Sequence, residues 1–267
     1  DSRTPAGTDS VAAAATVSLE IGTDTAGRML AIASAAAPYH VDDGVGAHGV
    51  INGDVISATA LPVDTIVTPN RDSTGCKPFQ DVTFPRDRTK NPRSATRDTS
   101  DFAVGNALVW LVGVTHGPRD SQPRRVNLTL DACHFEPRVL VASVGATLIV
   151  SHRDDMLTRL RFEDHGRTSA PRAIIGFTDP GQVVPNSDVL SKPGLVEVRD
   201  EKHSWVRGFI AVAPHPFVAV TESNGEFRFD GVPPGSYQLV VWHERLGARV
   251  IPVTVEQGHT IPVHIRY

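Results

Sequence analysis

The segment Arg125-Val-Asn-Leu-Thr-Leu-Asp131 indicates the fold class, because its apolar residues fall at every second position. Successive side chains of a β-strand point to opposite faces, so this alternation buries one face and leaves the other polar. The segment Ser236-Tyr-Gln-Leu-Val-Val-Trp242 follows a similar pattern. Short runs of Val, Ile and Leu elsewhere are bounded by turn residues, and the chain contains 22 glycines and 20 prolines. These patterns predict an all-β protein.

Other segments share this short apolar pattern and are predicted to be strands. They comprise residues 50–57, 107–114, 146–151, 158–162, 194–199, 208–213, 216–221, 226–230, 248–255 and 260–266. Helical periodicity is scarce. The Ala-rich segment from Thr25 to Ala37, which ends before Pro38, is the one stretch that predicts a helix.

The Asn224-Gly225 pair predicts a tight hairpin turn between the segments 217–221 and 227–229, because both residues tolerate a positive φ. The run Pro233-Pro-Gly235 then predicts a second turn into the strand that begins at Ser236. Together the two turns predict a β-meander, in which consecutive strands lie side by side.

The composition excludes several classes of function. With 26 basic and 30 acidic residues, the 267-residue chain has a formal charge of -4, so no global field favours nucleic acid or an anionic membrane. The longest weakly apolar run, near Met29 to Pro38, covers about ten residues, whereas a membrane-spanning helix needs roughly 20. The chain has neither a nucleophile elbow nor a phosphate-binding glycine loop. We therefore expect no enzyme activity, no cofactor, no nucleic-acid partner and no transmembrane segment.

The only two cysteines, Cys76 and Cys133, form no Cys-x-x-Cys pair, which excludes a thiolate zinc cluster and a thioredoxin-like motif. From the residues alone, a long-range disulfide and two buried free thiols are equally compatible with this spacing.

The stretch from Val220 to Leu239 resembles the carboxypeptidase regulatory-like domain, a small transthyretin-like β-sandwich. In that family an opening Gly-x-x-x-Gly-x-Val strand precedes the meander, and residues 48–55 are similar to it and are followed by the segment 107–111. The resemblance implies a domain made of residues 48–117 and 214–267. The remaining block, residues 118–213, would be inserted in it or packed beside it.

The inserted block resembles a cupredoxin. Residues 126–139 are similar to a cupredoxin strand followed by Phe-x-Pro, and residues 144–154 are similar to the next strand, which leads to a copper-binding histidine. Residues 194–212 resemble the final hairpin, in which Cys-x-x-His-Pro-Trp-Met precedes Gly-x-Ile-x-Val. The combination of the two domains resembles a group of exported bacterial proteins. In that group a cupredoxin-like domain is paired with a meander that ends in Trp-His-Glu, here Trp242-His-Glu244.

This resemblance implies four copper positions, and three of them have lost their ligand. Thr158 stands where the first histidine is expected, Asp200 replaces the thiolate, and Val206 replaces the axial methionine. His203 alone remains in register. Type 1 copper requires two imidazoles and a thiolate, so we expect a degenerate site without a metal. An alternative is a zinc or copper(II) site that combines Asp200 and His203 with His152 or His165.

Similar proteins also carry a cysteine just before Phe-x-Pro, away from the metal, and this resemblance favours a disulfide between Cys76 and Cys133. A disulfide implies an oxidising compartment such as the periplasm. The start of the chain at Asp1 rather than Met fits either an exported, processed product or a sequence without its own start.

Two segments fall outside the β pattern. The basic stretch 86–97 is a candidate partner contact, for an acidic protein surface or lipid headgroups, and a solvated loop is its alternative. Its cationic residues are Arg86, Arg88, Lys90, Arg93 and Arg97. Residues 1–47 are expected to form an irregular arm that is either disordered or lies along a partner.

Together these features predict two β-sandwich domains and a non-catalytic periplasmic docking protein. It would be an accessory subunit of a membrane-associated electron-transfer complex, photosynthetic or respiratory, with protein subunits as partners and peripheral contact with the membrane surface. The alternatives are a copper-binding electron carrier with an atypical site, and a carbohydrate- or peptide-binding β-sandwich module.

Overall fold

The computed structural model of the chain describes residues 19–21, 38–42, 48–59, 66–67, 76, 79–80, 101–167, 169–203 and 205–267. Within these ranges every regular element is a β-strand, which confirms the all-β prediction. The segment 25–37, predicted to be a helix, lies outside the described residues. The described chain contains no helix with the length and hydropathy that a membrane span requires.

The strands of the first half are β1 (Leu19–Ile21), β2 (His40–Val41), β3 (Gly49–Ser57), β4 (Ile66–Val67), β5 (Phe79–Gln80), β6 (Phe102–Ala103), β7 (Leu108–Val112), β8 (His116–Gly117), β9 (Arg125–Asp131), β10 (His134–Glu136) and β11 (Val139–Ser143). Those of the second half are β12 (Thr147–His152), β13 (Thr158–Asp164), β14 (Ala173–Phe177), β15 (Val183–Asn186), β16 (Gly194–Asp200), β17 (Arg207–Ala213), β18 (Val218–Val220), β19 (Glu226–Val232), β20 (Gly235–His243), β21 (Gly247–Val255) and β22 (Thr260–Arg266).

Four sheets form two sandwiches. In the first sandwich, a sheet of order β1-β21-β20-β7-β18 faces a sheet of order β19-β3-β22, to which β6 adds by pairing with β3. In the second, a sheet of order β10-β9-β12-β15 faces one of order β11-β17-β16-β13-β14. The strands of the second sandwich all lie between Arg125 and Ala213, and those of the first come before and after them. Two small pairs, β2-β8 and β4-β5, lie outside these sheets.

The two five-stranded sheets pack face to face, so the molecule has four layers. Apolar side chains from both sheets form one cluster between them. Its largest members are Trp110 and Trp242 from the first sandwich and Phe209 from the second, each at most 1% exposed. Each sandwich also has its own core between its two sheets.

The predicted meander is wrong, although its turns are present. Strand β18 pairs with β7 in one sheet, β19 pairs with β3 in the opposite sheet, and β20 returns to β7. The Asn224-Gly225 turn therefore carries the chain between layers. Gly225 has φ +80°, and a Cβ there would lie 2.4 Å from the Val55 carbonyl oxygen, so both conformation and space require glycine. The residue pattern identifies buried faces, but it does not identify the neighbouring strand.

His215 lies in the connection from the second sandwich to the first and is 5% exposed. Its ring packs against those of Tyr39, Trp110 and Phe217 at centroid distances of 5.9, 6.2 and 6.0 Å. Its Nδ1 accepts the Phe217 N–H at 3.3 Å. Burial lowers the pKa of His215 to about 4, which outweighs the opposing effects of its hydrogen bond and of Asp120.

We predict a pH-dependent loss of stability from His215. The unfolded chain takes up the proton near pH 6.5, whereas the folded chain does so only near pH 4, so stability is lost as the pH falls between these values. The loss is about 3 kcal/mol. The variant His215→Asn retains an acceptor for the Phe217 N–H. Between about pH 7 and pH 4, the free energy of unfolding in urea should fall by about 3 kcal/mol less in this variant than in the native protein. Equal pH dependence in both proteins would contradict this account.

Candidate functional site

The four predicted copper positions lie at one end of the second sandwich, where strand ends and loops meet. Thr158 begins β13, Asp200 ends β16, and His203 and Val206 lie in the loop that leads to β17. All four side chains are buried, with exposures between 0 and 4%. The loop is closed by two backbone hydrogen bonds, from Asp200 N–H to the Val206 carbonyl at 3.1 Å and from Val206 N–H to the His203 carbonyl at 2.9 Å. The structure therefore brings three of these residues into one short turn.

A carboxylate and an imidazole form the centre of this site. His203 Nδ1 donates a hydrogen bond to Asp200 Oδ2. The backbone N–H of Arg159, the residue after Thr158, donates to Asp200 Oδ1 at 3.0 Å. Both carboxylate oxygens thus have donors, which a buried carboxylate requires. The Arg159 bond also places Thr158 beside Asp200 and joins β13 to the loop after β16.

Thr158 has its own imidazole partner, His152, at the end of β12. The Thr158 hydroxyl lies 3.1 Å from His152 Nε2, and His152 Nδ1 faces the Asp179 carbonyl at 3.4 Å. Because a carbonyl only accepts, His152 carries its proton on Nδ1 and accepts the Thr158 hydroxyl on Nε2. The His152 ring stacks on Phe177 at 5.1 Å and is fully buried. This histidine is therefore a packed core residue with both nitrogens occupied.

These side chains do not fit a type 1 copper ion. Such a centre needs two imidazoles and a thiolate, commonly with a weak axial thioether, and the positions here carry a hydroxyl, a carboxylate, one imidazole and an isopropyl group. The only imidazole in register, His203, uses Nδ1 for Asp200. The chain's two cysteines are joined to each other.

The alternative zinc or copper(II) site is not assembled either. His165 lies in the contact between the two sandwiches, where its Nδ1 meets Glu197 Oε2 at 3.1 Å and its ring packs against Phe209 and Trp242. It does not join Asp200 and His203. Among the described residues, no three His, Cys, Asp or Glu side chains are arranged to hold a metal ion.

A disulfide joins Cys76 to Cys133 beside this site, the pairing that the resemblance implies. Cys133 has φ +64° in the turn from β9 to β10, a conformation that is costly for a residue other than glycine. Its N–H donates to Asp154 Oδ2 at 2.9 Å, and the Cys76 sulfur lies 3.5 Å from the Met156 sulfur. The disulfide thus anchors Cys76, which follows β3 in the sequence, to the core of the second sandwich.

Sequence reasoning missed two contributors to this end of the molecule. Asp154 is only 8% exposed, and its carboxylate accepts the Cys133 N–H and so holds the turn from β9 to β10. Arg159 contributes its backbone N–H, which every residue except proline has, so the residue type does not indicate this contact. The predicted partner contacts Arg86, Arg88, Lys90, Arg93 and Arg97 lie outside the described residues.

No protein-family profile and no curated protein matches the chain. Among solved structures, it is similar to the Cu-containing nitrite reductase from Thermus scotoductus SA-01, with 21% identity over 34% of this chain and 23% of that one, and a TM-score of 0.29. It is also similar to a purple cupredoxin from Nitrosopumilus maritimus, with 15% identity over 33% of this chain and 99% of that one, and a TM-score of 0.27. A reduced amicyanin variant shares 16% identity over 33% of this chain and 81% of its own, with a TM-score of 0.26. The chain thus spans less than a quarter of the nitrite reductase, and no activity follows from these similarities.

We predict that this end of the sandwich binds copper only when its ligands are changed. The triple variant Thr158→His, Asp200→Cys, Val206→Met places two imidazoles, a thiolate and a thioether on the loops described above. Titration with copper(II) should give it a thiolate-to-copper absorption band. The native chain and the single variant Thr158→His, which both lack the thiolate, should show none. A band in the native chain, or none in the triple variant, would contradict this account of the site.

Proposed function

We propose that the protein is a non-catalytic periplasmic docking protein, an accessory subunit of a membrane-associated electron-transfer complex, photosynthetic or respiratory. The observation that carries the proposal is the buried, hydrogen-bonded pair of Asp200 and His203. The resemblance aligns these two residues with a copper-binding thiolate and its neighbouring histidine. A buried carboxylate that accepts bonds from an imidazole and a backbone N–H has no accessible redox state. The sandwich therefore keeps an electron carrier's scaffold without the group that carries the electron.

Two further features support the proposal, one its export and the other its docking role. The disulfide between Cys76 and Cys133 is the kind of bond that persists in oxidising compartments. The face-to-face packing of the two five-stranded sheets couples both sandwiches through one apolar cluster. A coupled pair of sandwiches offers surfaces of fixed relative orientation, which suits a subunit that positions other proteins. The choice of an electron-transfer complex as host rests on analogy with the settings of cupredoxin-like proteins.

The same proposal assigns the two sandwiches to two domains. Residues 118–213 would form the degenerate cupredoxin-like domain, and residues 48–117 with 214–267 would form the carboxypeptidase regulatory-like domain. In the second assignment, the family name refers to an accessory sandwich and implies no peptidase activity.

A copper-binding electron carrier is the second candidate function. Its support is His203, which stands in register with a copper ligand. Against it, this histidine bonds to Asp200, and no thiolate is available, since both cysteines are joined in the disulfide. The copper titration described above separates the two candidates.

Isolation of the protein from its native membranes tests the docking role. With an affinity tag and a mild detergent, we expect the protein to co-purify in fixed stoichiometry with subunits that carry haem, chlorophyll or iron–sulfur groups, because an accessory subunit remains bound to its complex. An unrelated tagged periplasmic protein serves as the control. Recovery of the chain free of any such subunit would contradict the proposal.

A further inference from the structure

Several edge strands with described side chains carry a residue that discourages pairing with another chain. Strand β15 has Pro185, β22 has Pro262, and β19 carries the exposed ion pair of Arg228 and Asp230. Proline and charge are the usual protections of a sheet edge. Strand β14, Ala-Ile-Ile-Gly-Phe, is the last strand of its five-stranded sheet and has neither.

The outward-facing backbone groups of β14 belong to Ile174 and Gly176. Glu201 N–H donates to the Arg159 carbonyl, so the Arg159 backbone faces β16. Backbone groups alternate in direction along a strand, so the β13 residues on either side of Arg159 face β14. The β14 residues that pair with them, among them Ile175, have backbone groups that face β13. The N–H and C=O groups of Ile174 and Gly176 therefore point away from the sheet.

The side chains of β14 divide in the same way. Ile175 and Phe177 are 6% and 2% exposed and belong to the core of the second sandwich. Ile174 is 41% exposed on the opposite face. Gly176 lies on that face too, and a Cβ built on it would meet no atom within 4 Å. The edge thus presents an exposed aliphatic side chain two residues from an open space.

We propose that β14 pairs with β14 of a second copy of this chain, antiparallel and centred on Ile175. This register places Ile174 opposite Gly176 of the second copy, and Gly176 opposite the second Ile174. Both are pairs whose backbone groups point outward, so four N–H to C=O hydrogen bonds form across a two-fold axis. The sheet that contains β14 in one copy and the same sheet in the second copy then become one continuous sheet.

The complementarity of the strand with itself selects a second copy as the partner. In this register each Ile174 side chain covers the open space above the other Gly176, so one strand supplies both the projection and the space. No two like charges face each other. Arg172, which would lie opposite Thr178, is 2% exposed in its side chain and bonds to Asp164 within its own chain at 2.7 Å.

Sedimentation equilibrium of the full chain tests this proposal. The native chain should form a dimer in reversible equilibrium with the monomer. The variant Gly176→Pro removes one outward N–H from each copy without removing a bond to β13, and it should raise the dimer dissociation constant about 30-fold or more. The variant Ile174→Lys should have a similar effect, because it places two ammonium groups at the junction.

The variant Val183→Lys is the matched control. Val183 is 56% exposed on the neighbouring edge strand β15, so this change adds the same charge outside the proposed contact and should leave the dimer intact. Thermal unfolding of each variant verifies that the monomer is folded. A native chain that is monomeric throughout the concentration series would overturn the proposal. So would a dimer that resists both β14 variants, or one that Val183→Lys weakens equally.

Discussion

The contact of Trp242 with Phe209, with ring centroids 4.8 Å apart, lies in the apolar layer between the two sandwiches. Both rings are almost fully buried, and aromatic side chains of this size contribute most of the energy of such a contact. Beside them, Arg138 and Glu244 form a two-bond ion pair, with Nε to Oε1 at 2.7 Å and Nη2 to Oε2 at 2.8 Å. The Trp242-His-Glu244 motif thus supplies both an apolar anchor and a charged one, and the arrangement of all four layers depends on them.

At the end of the second sandwich where β16 leads into β17, the protein closes its loops with hydrogen bonds made by its own groups. Asp200 accepts one bond from His203 and one from the Arg159 backbone, so one carboxylate connects β13, β16 and the loop between β16 and β17. A metal ion bound to ligands from these same positions would connect the same elements. Under the proposed function, this carboxylate takes the structural role of a copper ion and leaves its redox role unfilled.

Much of the fold follows from local pattern, because alternation at residues 125–131 and 236–242 reports which face of a strand is buried. The positions of Thr158, Asp200, His203 and Val206 also follow from motif spacing, and the structure places them at one end of one sandwich. The strand order does not follow, since β18, β19 and β20 read as a meander and instead alternate between sheets. Long-range contacts do not follow from the local sequence pattern either. Nothing local to His165 indicates that it packs between the sandwiches against Trp242, or that Asp154 supports the backbone of Cys133.

The protonation of the His203 imidazole reports most directly whether a carboxylate–imidazole pair, and not a metal ion, occupies the loop between β16 and β17. Nitrogen-15 NMR of the native protein, purified without chelators, reports which ring nitrogen carries a proton. We expect a proton on Nδ1 that is protected from exchange and shifted to low field by Asp200. A His203 ring whose Nδ1 lacks the proton, or whose signals are broadened or displaced by a bound metal ion, would contradict it.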